Sequence, residues 1–173
     1  MGNAMLKYTG INIGKSVCDD GYKILVGEIL EKSKTHNCSI YYPLDVVVSK
    51  KLNGNGMIKE VNEINNDEMI LDIGPKTITS IKNIVDNSNT VLWNGPAGYF
   101  ENPNFANGTK KILEIIANKK SKDKIYAVAG GGETVAVINK FNKLDSFNFV
   151  STAGGAFLEY LEGKKLPGIK ALN

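Results

Sequence analysis

The chain has 173 residues, of which 42% are hydrophobic and 23% charged, a composition typical of a soluble globular protein. The formal net charge is only +3 and no basic stripe is interleaved with aromatic residues, which argues against a nucleic-acid partner. All basic residues apart from one histidine are lysines, so this chain cannot supply an arginine fork for phosphate or carboxylate.

The termini and the rare side chains indicate an intracellular protein. No apolar run approaches the roughly 20 residues that span a bilayer, and the N-terminus lacks a secretory signal, so we expect a cytoplasmic location. Cys18 and Cys38 lie in unrelated contexts without metal-ligand spacing and are expected to be free thiols. His36 stands near the end of a predicted helix, where we expect a solvated or capping role.

The first half of the chain predicts a helix, two extended segments and a second helix. Apolar residues at helical spacing predict a helix within residues 19–36. An extended segment follows, and Val46 to Val48 are its buried part. Residues 53–68 are polar and glycine-rich and are expected to form a surface excursion. The sequence MILDIGPKT predicts a short strand, a stop at Gly74-Pro75 and a helix through about Asp86.

The second half predicts three strands, each followed by a loop and a helix. The sequence NTVLWNGPAGYFENP reads as strand and loop, and FANGTKKILEIIANKK as an amphipathic helix. In KIYAVAGGGETVAVINKF three glycines separate a strand from a helix. In FNFVSTAGGAFLEYLEGKKLPG a Gly154-Gly155 turn precedes a helix that Gly163 ends. This alternation predicts an α/β fold with a mainly parallel sheet flanked by helices on both faces.

Glycine-bearing turns follow all three strands of this second half. In such folds ligands bind at the carboxyl ends of the strands. A helix N-terminus exposes unpaired N–H groups and a partial positive charge, so it attracts phosphate, and glycines leave those amides accessible. For any single turn, close packing of helix on strand is an equally good explanation. Three turns on successive strands favour a phosphate site.

Two other phosphate motifs do not fit. The sequence GGGETV lacks the G-x-G-x-x-G spacing of a dinucleotide site, which disfavours a dehydrogenase-like protein. The sequence GINIGKS has one residue too few between its glycines for a Walker A loop. Two carboxylates remain as candidates. Glu133 either complements the helix dipole or holds Mg²⁺ beside a nucleotide phosphate. Glu101 is either a solvated loop residue or an acceptor for ribose hydroxyls.

Several long motifs closely resemble phosphoglycerate kinases. VLWNGPAGYFENPNFANGT, AVAGGGETVA and STAGGAFLEYLEGKKLPGIKAL match three motif blocks of that family, and YYPLDVVV, MILDIGPKT and GINIGKS match preceding segments in the same order. The resemblance covers essentially the whole chain. It implies a Rossmann-like, three-layer domain in which residues 1–173 are part of the C-terminal, nucleotide-binding domain of a usually monomeric enzyme.

The resemblance implies reversible transfer of a phosphoryl group from 1,3-bisphosphoglycerate to ADP, giving 3-phosphoglycerate and ATP in glycolysis, with Mg²⁺ as cofactor. It assigns Gly131, Gly154 and Gly155 to the transfer site and Glu133 to the metal. Ser151 and Thr152 match a hinge segment. The residues that it assigns to the nucleotide are Leu71, Asn94, Pro96, Tyr99, Glu101, Gly130, Gly131, Gly132, Glu133 and Thr134.

The chain also departs from the family pattern. It lacks the family's GGAKV…K segment and the N-terminal domain that binds phosphoglycerate. We therefore expect a truncated chain without the first strand–helix unit. Such a chain is expected to have an exposed apolar edge or face, low stability and little turnover alone. A non-catalytic nucleotide- or partner-binding remnant is the alternative. Glu133 and Ala153 replace the usual Asp and Gly, and a Cβ at position 153 would be strained at positive φ.

Overall fold

The computed structural model describes residues 1–122 and 124–172, which form two compact units. The first unit comprises residues 1–81 with 97–109, and the second comprises residues 82–96 and the chain from Lys110 onwards. Each unit contains one three-stranded sheet in the described part of the chain. In the same residues, none of the helices has both the length and the apolar character needed to cross a bilayer.

The first unit is built on an antiparallel sheet of strand order β2-β1-β3. Val46 and Val48 of β1 are fully buried and pack with Ile64, forming the core of this unit. His36 is the C-cap of α2, where its backbone N–H donates to the carbonyl of Lys32 over 3.0 Å, and it is exposed, in agreement with the predicted solvated or capping role. The elements of this unit are α1 (Gly2–Tyr8), α2 (Tyr22–Thr35), β1 (Asp45–Ser49), β2 (Met57–Glu60) and β3 (Met69–Ile73).

The antiparallel sheet differs from the alternation that the sequence suggested for this half of the chain. The predicted surface excursion contains β2, whose residues Met57 to Glu60 pair with Val48 to Asp45. Met57 and Ile58 are more than half exposed, so this edge strand lacks the apolar alternation that would have revealed it. Residues 50–68, between β1 and β3, contain a short 3-10 helix (Val61–Glu63) but no α-helix, and parallel pairing requires a long crossover, so β3 pairs antiparallel with β1.

The second unit contains the predicted parallel sheet, which confirms the α/β class. Its strand order is β4-β5-β6, and helices flank it. Helix α3 (Pro75–Asp86) begins in the first unit and α4 (Asn107–Lys120) ends in the second. The other elements are β4 (Thr90–Asn94), β5 (Tyr126–Gly130), α5 (Gly132–Lys140), β6 (Phe149–Ser151), α6 (Gly155–Leu161) and α7 (Pro167–Lys170).

The two faces of the parallel sheet differ in burial. Ala127 and Ala129 are fully buried on one face, since strand residues alternate between faces. On the other face Leu92, Val128 and Phe149 stand in register across the three strands. Leu92 and Phe149 are 45% and 52% exposed, so this row is an exposed apolar face. The low stability expected from the sequence stays a prediction.

Candidate functional site

The three strands of the parallel sheet end side by side. Asn94 at the end of β4 pairs with Gly130 at the end of β5, and Gly130 pairs with Ser151 at the end of β6. The three loops predicted from the sequence therefore begin at one edge of the sheet. This is the edge at which α/β proteins bind ligands.

A cleft of about 250 Å³ lies at this edge, and we call it the glycine cleft. Ligand sites for drug-sized molecules usually occupy roughly 300–1,000 Å³, so the glycine cleft suits a phosphate group better than a whole nucleotide. It brings together seven of the residues predicted from sequence, and adds Gly95 and Leu158, which the sequence analysis did not select. Its lining residues are Asn94, Gly95, Gly131, Gly132, Glu133, Thr134, Gly154, Gly155 and Leu158.

A different structural feature explains each of the three consecutive glycines, Gly130, Gly131 and Gly132. At Gly130 an added Cβ would overlap the ring of Phe157, so this glycine serves packing. Gly131 has φ +93°, a conformation that residues with a side chain rarely adopt. At Gly132 an added Cβ would meet no protein atom within 4 Å, so its backbone borders open space. The packing explanation therefore accounts for one of the three glycines.

Two loops of the glycine cleft lie close together, and a hydrogen bond joins them. A Cβ on Gly131 would lie 2.7 Å from Asn94 Oδ1, so the two loops approach closely. The backbone N–H of Gly95 donates to Thr134 Oγ1 over 2.7 Å, and Thr134 is fully buried. Gly95 itself has φ +91°. The first turn of α5 is therefore held against the end of β4.

The amides of α5 supply the positive end of the glycine cleft. Gly131 is the N-cap of this nine-residue helix and offers no side chain to its first N–H groups. Those first-turn groups have no partner within a helix, and the helix dipole adds partial positive charge. On the third loop Gly154 has φ +50°, and added Cβ atoms at Gly154 and Gly155 would meet no atom within 4 Å. The arrangement can accept an anion.

Glu133 is exposed in the first turn of α5 and lines the glycine cleft. Among the described residues no group of three or more His, Cys, Asp or Glu side chains could hold a metal ion. Mg²⁺ is commonly bound through one or two carboxylates together with substrate phosphates and water. A single carboxylate beside phosphate-sized space fits that mode of binding.

The departure at Ala153 introduces no backbone strain. In the described chain, positive φ angles at residues other than glycine occur at Asn37 and Asn142. The N–H of Ala153 donates to Ser151 Oγ over 3.3 Å, which ties the start of this loop to β6. The conformation therefore accepts the Cβ of Ala153.

The predicted base and ribose residues lie in the first unit. Leu71 on β3 is 8% exposed, and its carbonyl accepts the N–H of Tyr99 over 2.8 Å. Tyr99 is 39% exposed, and Glu101 is exposed two residues later. Leu71 and Tyr99 are thus neighbours despite 28 positions between them in sequence. Pro96 and Gly130 do not line the glycine cleft.

Sequence analysis missed Asp72, a carboxylate in the otherwise apolar strand β3. It is 1% exposed, and it accepts hydrogen bonds from the N–H groups of Gly108 over 2.7 Å and Ile73 over 2.9 Å. Burial raises the pKa of Asp72 from its ordinary 3.8 to about 6, although these backbone bonds and one from Asn107 favour the ionised form. The signal available in the sequence was an acidic residue, Asp72, within the otherwise apolar strand MILDI.

The raised pKa of Asp72 predicts a pH-dependent stability. The folded state binds this proton more tightly than the unfolded state, so the contribution of Asp72 to stability increases as pH falls through 6 toward 4. Between pH 7.5 and 5 we expect wild type to gain about 1 kcal/mol relative to Asp72→Asn. Urea unfolding of both proteins at the two pH values measures this difference, and equal changes would contradict it.

The GINIGKS segment serves the fold of the first unit. The N–H of Lys15 donates to the carbonyl of Glu68 over 2.7 Å, and Ser16 Oγ accepts the N–H of Ile70 over 2.8 Å. An added Cβ at Gly14 would overlap the carbonyl of Glu68. This loop is packed against the start of β3, in agreement with its missing Walker A spacing.

The fold and site define an α/β protein with a parallel sheet whose carboxyl edge carries accessible glycine turns. The family model for phosphoglycerate kinase matches residues 1–164. The chain belongs to the phosphoglycerate kinase family.

The relatives are all considerably longer than this chain. Phosphoglycerate kinase of Francisella philomiragia is 47% identical over 98% of this chain and 43% of its own length. That of Xanthobacter autotrophicus is 43% identical over 99% of this chain and 44% of its own. The structure of phosphoglycerate kinase from Coxiella burnetii superimposes with a TM-score of 0.90 at 38% identity, covering 99% of this chain and 44% of that one. The chain therefore spans less than half the length of these relatives.

Proposed function

We propose that residues 1–173 are part of the C-terminal, nucleotide-binding domain of a phosphoglycerate kinase. The domain holds ADP or ATP with Mg²⁺ in the cytoplasm while a phosphoryl group moves between 1,3-bisphosphoglycerate and ADP. The observation that carries the proposal is the glycine cleft, where seven residues that the family resemblance assigns to the nucleotide, the metal or the transfer site surround accessible amides at one sheet edge. Family membership supplies the reaction class.

The chemistry of phosphoryl transfer suits what this chain offers. Such a transfer needs its oxygens in line and its charge neutralised, with little proton chemistry. The first-turn amides of α5 would bind phosphate oxygens, and the positive φ of Gly131 orients them. Glu133 would hold Mg²⁺, which when bound neutralises phosphate charge. Leu71 and Tyr99 would contact adenine, and Glu101 would accept hydrogen bonds from ribose.

The phosphoglycerate substrate requires another part of a complete kinase. Binding a carboxylate and phosphates favours arginine forks, and this chain has no arginine. We expect no ATP formation from this chain alone. Addition of the separately expressed remaining portion of the Francisella philomiragia enzyme is expected to produce ATP from ADP and 1,3-bisphosphoglycerate, measured by a coupled assay. If the mixture stays inactive, a non-catalytic nucleotide-binding protein becomes the better description.

A variant of the glycine cleft tests the proposed phosphate-binding amides directly. Gly132→Val fills open space beside the first amides of α5 and is expected to weaken Mg-ADP binding about tenfold in calorimetry. Gly168→Val, in α7, also projects into open space but does not line the glycine cleft, so its affinity should equal that of wild type. Equal affinities for all three proteins would refute the assignment of these amides.

A further inference from the structure

Residues 97–101, here named the Tyr99 loop, pack at Gly98 against a buried carboxylate on β3. Asp72 lies between Leu71 and Ile73 on β3 and accepts the N–H of Gly108 at the start of α4. An added Cβ on Gly98 or on Gly108 would overlap Asp72 Oδ1. Both glycines are therefore pressed against the same carboxyl group, one from the Tyr99 loop and one from α4.

A buried hydroxyl completes this attachment. Thr109 is fully buried, and its Oγ1 accepts the N–H groups of Ala97 and Gly98, each over 3.1 Å. The next N–H in the chain, that of Tyr99, donates to the carbonyl of Leu71 over 2.8 Å. Three successive amides of the Tyr99 loop are thus bonded to β3 or to the first turn of α4. An added Cβ on Gly98 would also overlap the carbonyl oxygen of Phe105, a fully buried residue.

We infer that Asp72 is a positioning residue for adenine recognition, because its carboxylate holds the start of α4, which carries Thr109, and packs against Gly98, and in this way supports the Tyr99 loop beside Leu71. The inference rests on the proposed function, which assigns Leu71 and Tyr99 to the base. Asp72 itself is buried and does not touch the ligand. Its charge is satisfied by backbone N–H groups, which hold it in one orientation.

The test compares two buried aspartates that serve different helices. Asp45 is 2% exposed and accepts hydrogen bonds from Lys76 and Thr77 at the start of α3. In Asp72→Asn the side-chain NH₂ group can face the N–H of Gly108, so that two donors meet without an acceptor. This variant is expected to weaken adenosine binding about tenfold, with pyrophosphate binding unchanged. Asp45→Asn is expected to leave adenosine binding unchanged. NMR titration of labelled protein with each probe measures both affinities.

Amide hydrogen exchange gives a second measurement that needs no ligand. In Asp72→Asn the amides of Gly98 and Tyr99 are expected to exchange at least about tenfold faster than in wild type, and in Asp45→Asn at the wild-type rate. Should Asp72→Asn fail to fold, Thr109→Val removes the hydroxyl acceptor with little change in shape and should produce the same two effects. Thr109→Ser keeps the oxygen and should restore wild-type behaviour.

The outcomes separate this inference from the proposed function. If wild type binds adenosine and the Asp72 or Thr109→Val variants change neither affinity nor exchange, the inference is wrong and the proposed function stands. If Asp72→Asn weakened the binding of adenosine and of pyrophosphate equally, Asp72 would contribute only to general stability, and the inference would be wrong. If wild type binds no adenosine while exchange at Tyr99 responds as expected, the proposed base site fails and Asp72 still fixes the Tyr99 loop.

Discussion

Replacing Gly131 by alanine is expected to lower the free energy of unfolding by about 3 kcal/mol, measured by urea denaturation. Gly131 has φ +93° and ψ 137°, and a residue with a Cβ in such a region costs about 1–3 kcal/mol. The added methyl group would also lie 2.7 Å from Asn94 Oδ1, so the side chain of Asn94 must move aside. Conformation and contact therefore act in the same direction.

Gly132→Ala is the matched control for this prediction. Gly132 begins α5 and has no protein atom within 4 Å of an added Cβ, so alanine there should change stability by less than about 0.5 kcal/mol or increase it slightly. A similar loss in both variants would show that the positive φ of Gly131 is not what holds the two loops. The two variants thus distinguish Gly131, whose backbone conformation forms the turn, from Gly132, which leaves the backbone amides of the turn accessible.

The elements that sequence predicted best are those with strong periodicity and clear stops. Helix α3 begins at Pro75 and ends at Asp86, as predicted, because proline and the preceding glycine mark its start and apolar spacing continues to its end. Strand β2 was missed because Met57 and Ile58 are adjacent and both exposed, so the strand shows no alternation of apolar and polar residues. Edge strands are defined by backbone pairing with a neighbour, which a single sequence does not display.

The candidate site was partly predictable for a similar reason. Glycine turns after apolar runs are visible in sequence, and parallel topology brings the ends of the strands together. The separate duties of Gly130, Gly131 and Gly132 depend on Phe157, on backbone angles and on open space, none of which is local in sequence. Asp72 was overlooked because its partners, Gly98 and Gly108, lie far along the chain.

Asp45 and Asp72 have the same structural role at the starts of two helices. Each aspartate extends from a strand of the first unit and binds the first amides of a following helix, α3 for Asp45 and α4 for Asp72. A glycine is pressed against each carboxylate, Gly74 in the first case. Negative charge at a helix N-terminus is favourable, and burial increases the cost of removing it.

Asp45→Ala is accordingly expected to lower the free energy of unfolding by about 3 kcal/mol. Asp45 Oδ2 accepts the N–H of Lys76 over 2.9 Å, and Oδ1 accepts the N–H and the hydroxyl of Thr77, each over 2.8 Å. Alanine would remove the acceptor of the two N–H groups and open space beside Gly74, while the Thr77 hydroxyl keeps the carbonyl of residue 45 as acceptor over 2.8 Å. Urea unfolding at pH 7.5 measures the loss.

The control for Asp45→Ala lies on the same turn of α3. Lys76 also forms an ion pair with Glu60, but both side chains are largely exposed, and exposed pairs contribute about 0–1 kcal/mol. Lys76→Gln keeps the backbone N–H that Asp45 accepts and should therefore cost less than about 0.5 kcal/mol. A loss below about 1 kcal/mol for Asp45→Ala, or one matched by Lys76→Gln, would mean that water replaces the carboxylate and that α3 does not depend on this cap.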